Sequence, residues 1–393
     1  MTNQIDFIKN YADAEDETVV PSDQQESEED VHPSRDRINE SVLFNTDWTV
    51  ETLFRQIDKG NINLDPQFQR RDAWDELRKS KFIESILCGL PIPNVVLAED
   101  RKVKGRYLVI DGKQRLSTIA SFLTGKFALK NLSIRDDLND CTFSRLKETH
   151  PTEIDTIENY TIRTIVIRNW PDEGYLYTVF YRLNSGSLQL SSQELRKALH
   201  AGKLLDHLEN FVSASNGFKK IFGNTIDPRM RDVELVLRFL AFDNSFMEYK
   251  GNLKDFLDGT LKFYNEAWEH NLPALQDALT RFELALVTAH NVFKNNAFKK
   301  WNGAAFERRI NRAVFDVVTR YFSDNQIAKR AEEKPKEIIE VMKSLCSESE
   351  MFRNSIERTT KTPSATQIRH RLWGEKLALV IGGRLDEKTM RMS

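Results

Sequence analysis

Five consecutive residues, Asp111-Gly112-Lys113-Gln114-Arg115, place a carboxylate, a glycine, two cations and an amide directly after the apolar run RYLVI, Arg106 to Ile110. The run reads as a β-strand. Leu116, Ile119, Ala120 and Leu123 recur at helical spacing behind it, and Gly125 supplies the stop. A strand that passes straight into a helix leaves the first helical amides unpaired, and these amides with the helix dipole form an anion site. Gly112 permits close backbone approach. Lys113 and Arg115 stand in a first turn where the dipole disfavours cations, and a phosphate nearby would account for them. Asp111 could hold a metal ion or orient a water, and Gln114 could position that water or a ribose hydroxyl. The plainer alternative is an Asp-Gly turn in which Asp111 only caps the helix.

Two further segments carry polar side chains with similar potential. DPQFQRRDAW sets Gln69, Arg70 and Arg71 in a loop before Trp74. A guanidinium fork suits bidentate phosphate contact, although solvated surface arginines would look the same. In FYRLNSGSLQLSSQELRKAL, Asn184 ends one helix, either as a polar ligand or as a left-handed cap. Ser191-Ser192-Gln193-Glu194 then reads as a capping box that opens the next helix.

The elements that must carry these residues follow from periodicity. TVETLFRQIDKG is a helix with Val50, Leu53, Phe54 and Ile57 on one face, and a second helix spans Asp75 to Cys88. Val95 to Leu97 and residues 160–168 (YTIRTIVIR) read as strands. After Gly174 the pattern is helical to the end, with helices expected near 253–270, 273–294, 304–322 and 335–345. The fold expected is α+β over residues 46–200, then an all-α helical domain over 201–393, behind an acidic arm of residues 1–45 that reads as disordered.

In this order, PQFQRRDAW, GLPIPNVVLAE, IDGKQRLSTIASFLTG and YRLNSGSLQLSSQELRKAL resemble successive blocks of the N-terminal domain of GmrSD-type modification-dependent restriction systems. The resemblance covers about residues 48–200, and more loosely the helices to about 322. It implies a ParB/sulfiredoxin-like fold. It also implies that Asp111, Gln114 and Arg115 act on a bound nucleoside triphosphate with Mg²⁺, which Asp111 would hold. Gln69, Arg70, Gly112, Lys113 and Asn184 would line the same pocket. The family's motif is usually written DGQQR, so Lys113 replaces a glutamine, which bears on turnover more than on binding. Full-length restriction members carry an HNH-type nuclease part. Here the seven histidines are scattered and make no nuclease constellation after residue 200, so any cutting would fall to a partner nuclease subunit. A sulfiredoxin-like reaction needs a cysteine in the phosphate loop, where IDGKQR has none. Cys88 reads as buried filler.

Composition bounds the rest. With 40% hydrophobic and 30% charged residues in 393, the chain is long enough for two compact domains and fits no fibrous or membrane class. No apolar run is long enough for a membrane helix and no signal peptide is visible, so a cytoplasmic location is expected; three distant cysteines suit it. The net charge of −2 hides an asymmetry: residues 1–45 hold 12 acids and 3 bases, and the remainder holds 47 acids and 54 bases. The arm is either a solvating tail or a cover for a basic surface. Two basic stretches interleaved with aromatics, Lys294–Arg312 and Arg353–Trp373, are the segments expected to meet DNA, if they are not amphipathic helices with solvated charge. Three functions remain open: a Mg²⁺-dependent nucleoside triphosphatase of a phage-defence restriction system, a module that binds nucleotide without turnover, and a DNA-binding regulator.

Overall fold

A computed structural model describes residues 26, 30, 31, 40–64, 74–183, 191–200, 202–224, 227, 229–358 and 360–392. The chain divides into two compact units. The first is Val31–Leu199; the second is His200–Ser393, which also takes in Glu26 and Asp30.

The first unit is built on a four-stranded sheet. Its strands are β1 (Val42–Thr49), β2 (Val95–Glu99), β3 (Tyr107–Asp111) and β4 (Thr161–Arg168). Their order across the sheet is β1-β4-β2-β3. β4 pairs antiparallel with β1 and parallel with β2, and β2 pairs antiparallel with β3. β2 is buried on both faces, which explains its unbroken apolar run. Val95 and Leu97 enter one apolar cluster, Val96 and Ala98 the other.

On the first face lie α1 (Val50–Asp58), α2 (Glu76–Leu87), α3 (Lys113–Leu123), α4 (Phe143–Thr149) and α5 (Pro151–Asn159). They contribute Leu53, Ile83, Ile86, Leu116, Ile119 and Ile157, each fully buried. Burying one such side chain is worth about 1.5–3 kcal/mol. The second face is covered by α6 (Glu173–Leu183) and α7 (Ser192–Leu199), through Leu176, Tyr177, Phe180 and Leu195.

The helices predicted over 50–60 and 75–88 and the strands near 95–97 and 106–110 are present, with ends shifted by a residue or two. β1 is new: a strand begins at Val42, within the stretch read as an acidic arm. It lies on the sheet edge with Val42, Leu43 and Phe44 exposed, so no burial alternation marks it. The expectation of disorder for the arm otherwise lies largely outside the described residues. Of those described there before the strand, Glu26, Asp30 and Val31 are buried, Ser41 is half-buried and Glu40 is exposed.

The second unit is mainly helical: α8 (Lys203–Ala214), α9 (Asn216–Phe222), α10 (Arg231–Ser245), α11 (Leu253–Glu266), α12 (Trp268–Phe293), α13 (Arg312–Phe322), α14 (Asn325–Glu333), α15 (Pro335–Glu348), α16 (Glu350–Glu357) and α17 (Pro363–Ile381). The reading of 304–322 as one helix is corrected. β5 (Lys299–Trp301) and β6 (Phe306–Ile310) form a hairpin, and helix starts only at Arg312, where Asn311 accepts the Val314 amide. A second hairpin, Leu385–Asp386 with Arg391–Met392, closes the chain.

The core of this unit encloses charge. Arg238 bonds Asp316 through Nε at 3.1 Å and through Nη2, and Arg369 Nη2 lies 3.8 Å from the same carboxylate. All three side chains are essentially inaccessible. Burial and the neighbouring Arg238 push Arg369 down to about 10. His370, next in sequence, is fully buried and contacts the Thr366 carbonyl through Nδ1 at 2.7 Å. Burial, aided by Arg369 and Arg320, holds its pKa well below the ordinary 6.5. The unfolded chain therefore takes up a proton near pH 6.5 that the folded unit refuses. This contribution to stability is complete above that pH and declines below it, by about 1.4 kcal/mol per pH unit for one proton. Urea unfolding between pH 5 and 8 should show this slope in the wild type and a shallower one in His370→Gln. Equal slopes would remove His370 as the cause.

Candidate functional site

Asp111 is the last residue of β3, Gly112 is the N-cap of α3, and Lys113 is the first helical residue. The change from strand to helix takes one residue because Gly112 has φ +93°, in the left-handed region where a Cβ is disfavoured. Space enforces the same choice. A Cβ on Gly112 would stand 3.0 Å from Val95 Cγ2 and 3.2 Å from Arg115 Nη2. With no side chain, Gly112 leaves the first turn of α3 without a side-chain cap.

A bulge precedes the turn. Val96 is opposite Asp111 and Leu97 is opposite Val109, so Ile110 is an extra residue on β3. Bulges re-aim neighbouring side chains. Val109 and Ile110 still bury on opposite faces, so the extra residue alters the direction taken by Asp111 without loss of core.

The motif's charges are mutually engaged. Arg115 is buried, and its Nη2 donates to Asp111 Oδ2 and to the Asn94 carbonyl, both at 2.8 Å. It therefore fixes the carboxylate against the start of β2 and is not an open cation. Lys113 Nζ donates to Glu194 Oε1 at 3.0 Å. The other Glu194 oxygen accepts the Ser191 amide at 2.8 Å, and Ser191 Oγ accepts the Glu194 amide at 3.0 Å. The predicted capping box is thus complete, and the same carboxylate reaches the motif. Sequence reasoning missed this role of Glu194, since a partner 81 residues away has no local signal.

Some polar atoms at the site have no hydrogen-bond partner among the described residues despite burial: Gln114 Oε1, Arg115 Nε and Ser117 Oγ. Such atoms also occur away from the motif, for example Arg238 Nη1 and Trp373 Nε1, and water or a ligand can complete the shell of each. Gln69, Arg70 and Asn184, expected to line the same pocket, lie outside the described residues.

A magnesium ion fits this donor set to a limited extent. Mg²⁺ is usually held by one or two carboxylates together with substrate phosphates and water. Arg115 engages Oδ2 of Asp111, and Oδ1 makes no hydrogen bond among the described residues. No group of three or more His, Cys, Asp or Glu suited to a metal occurs among the described residues. The half-buried Cys88 thiol is pushed up by burial and by Glu84, which makes it a poor nucleophile. Among the described residues no helix is long and apolar enough to cross a membrane.

The two basic segments are also placed. In Lys294–Arg312 the aromatics turn inward: Phe298 is buried, and Trp301 packs edge-on to Phe306 with centroids 5.2 Å apart. Lys300 pairs with Glu307 and Glu357, and Arg312 with Glu234, while Arg308 is exposed. In Arg353–Trp373, Arg369 and Trp373 are buried and Arg358 is exposed.

Substituting Gly112→Ala should cost roughly 1–3 kcal/mol for the left-handed backbone, before any contact with Val95. Denaturant unfolding of the variant measures it, and an unchanged midpoint would show that the turn tolerates a side chain.

Neither a curated protein nor a solved structure matches the chain. Residues 50–201 match the family described as GmrSD restriction endonuclease, N-terminal domain. The match holds the sheet strands β2 to β4, the Asp111–Arg115 turn and the capped helix α7. Residues 50–201 of this chain are therefore similar to the GmrSD N-terminal domain.

Proposed function

We propose that this protein is the sensor component of a restriction system, and that it binds and hydrolyses a nucleoside triphosphate at the β3–α3 turn. The observation that carries the reading is the turn itself. It has an uncapped helix start behind a left-handed glycine, an Asp111 carboxylate clamped by Arg115, and a buried amide oxygen on Gln114 without a partner. The matched family's description supplies the restriction context.

In this reading the amides of the first α3 turn donate hydrogen bonds to the phosphates, which the helix dipole favours. Asp111 holds Mg²⁺ or the attacking water, and Gln114 orients that water or a ribose hydroxyl. Lys113 balances phosphate charge. Catalysis of phosphoryl transfer is chiefly a matter of positioning and electrostatics, and the Arg115 clamp provides the positioning of Asp111. Mg²⁺ would neutralise charge on the phosphates. The location in this reading is the cytoplasm, with DNA and a separate nuclease as partners.

A second reading, binding without turnover, is favoured by one feature. Lys113 and Arg115 are already paired with Glu194 and Asp111, which lowers the charge free to stabilise a transition state.

A panel of nucleoside triphosphates with Mg²⁺ should be tested against wild type and Asp111→Ala, for melting shift and for phosphate release. A ligand that binds only the folded form raises the melting temperature. We expect one or more nucleotides to do so, and Asp111→Ala to release phosphate about 100-fold more slowly, the order lost with one electrostatic group. A melting shift without release selects the second reading. Neither shift nor release in the wild type refutes both.

A further inference from the structure

Residues 1–30 contain ten acids and one base, Lys9. Two of those acids are buried in the helical unit: Glu26 is 3% exposed and Asp30 6%. Burying a carboxylate is costly unless it is paired and hydrogen-bonded, so Asp30 needs dedicated partners. Lys361 Nζ donates to its two oxygens at 3.1 and 3.2 Å, and Asn252 Nδ2 donates to its carbonyl at 2.9 Å.

The place where Asp30 sits is constructed from several directions. Tyr249 Oη donates to the Lys361 carbonyl at 2.6 Å, and the buried Arg369 donates to the Thr360 carbonyl at 2.7 Å. The loop that presents Lys361 is thus braced from within. Asn252 caps α11 and Thr362 caps α17. The two helix starts touch, since a Cβ on Gly251 would lie 3.0 Å from Pro363 Cδ. Two positive helix ends therefore converge beside one lysine. Asp255 is the acid nearby, held by Asn252 Nδ2 at 2.8 Å. Arg358, three residues before Lys361, is exposed, as is Glu357 beside it, which pairs with Lys300.

A lysine on a braced loop beside helix starts is also suited to the phosphodiester backbone of DNA. The Lys361 side chain is 29% exposed, whereas that of Asp30, whose carboxylate it holds, is 6% exposed. We propose that the Lys361 loop of the helical unit is a contact for the DNA backbone, and that Asp30 occupies it as an intramolecular competitor. The inference rests on the reading that the protein acts on DNA, but it does not involve the Asp111 site.

The test uses the full chain without nucleotide, binding a labelled duplex over a range of salt. Asp30→Asn keeps the size of the side chain and removes its charge, so it should bind the duplex about tenfold more tightly than wild type at moderate salt. Removing residues 1–30 should tighten binding at least as much. Adding Lys361→Gln to Asp30→Asn should reverse the gain and flatten the salt dependence. Melting curves confirm that each variant is folded. Equal affinity of wild type, Asp30→Asn and the truncated chain would overturn the proposal. So would a gain that survives Lys361→Gln, or no duplex binding by any form. Inorganic phosphate is the control: tighter phosphate binding by Asp30→Asn without duplex binding would show a site for free phosphate and also overturn it. Phosphate release from nucleotide, measured on the same proteins, reports on the Asp111 reading separately.

Discussion

At Gly112 the chain leaves an edge strand and enters a helix within one residue, and the neighbouring features depend on the backbone it adopts there. A left-handed φ turns α3 back across the sheet so that Leu116 and Ile119 reach the core. The same geometry leaves room for Arg115 Nη2 and Val95 where a Cβ would intrude. Arg115 can then join the end of β3 to the start of β2 through Asp111 and Asn94. The anion-attracting end of a helix and the fixed carboxylate thus both depend on the backbone of one residue.

The helical unit meets a different constraint. Its core is large and apolar, yet Arg238, Arg369, Asp316 and His370 lie inside it. Buried ion pairs seldom add net stability over apolar packing, but losing one partner leaves the other charge uncompensated at a cost of several kcal/mol. Such a cluster restricts the arrangements the helices can adopt. It also supports the surface loop above it, since Arg369 holds the Thr360 carbonyl from below. Interior charge and the disposition of a surface lysine are connected by that hydrogen bond.

The sequence showed the parts that depend on local pattern. The apolar spacing of α1, α2 and α3 and the Ser191–Glu194 capping box were legible because each is set within a few residues. The position of the Asp-Gly turn between strand and helix was legible for the same reason. β1 was not, because an exposed edge strand has no alternation to read, and its pairing with β4 spans more than a hundred residues. The second strand of the hairpin, Phe306–Ile310, was mistaken for the start of a helix: Asn302-Gly303 is a strong turn signal, but strands of three and five residues are too short for their alternation to stand out beside the helix that follows at Arg312. The site was half legible. Residue types in the motif were evident, whereas the Ile110 bulge and the partners of Lys113 and Arg115 depend on tertiary contacts.

Glu194 has two obligations, and they do not separate. One oxygen satisfies an amide at the start of α7, and the other receives the ammonium of Lys113. The carboxylate is almost fully enclosed, at 4% side-chain exposure, so it has little water to fall back on. Pulling Lys113 toward a bound anion would strand a negative charge at the root of α7, the last helix before the chain passes into the second unit at His200. An anion at the motif would therefore compete with the root of α7 for one hydrogen-bond donor, the Lys113 ammonium.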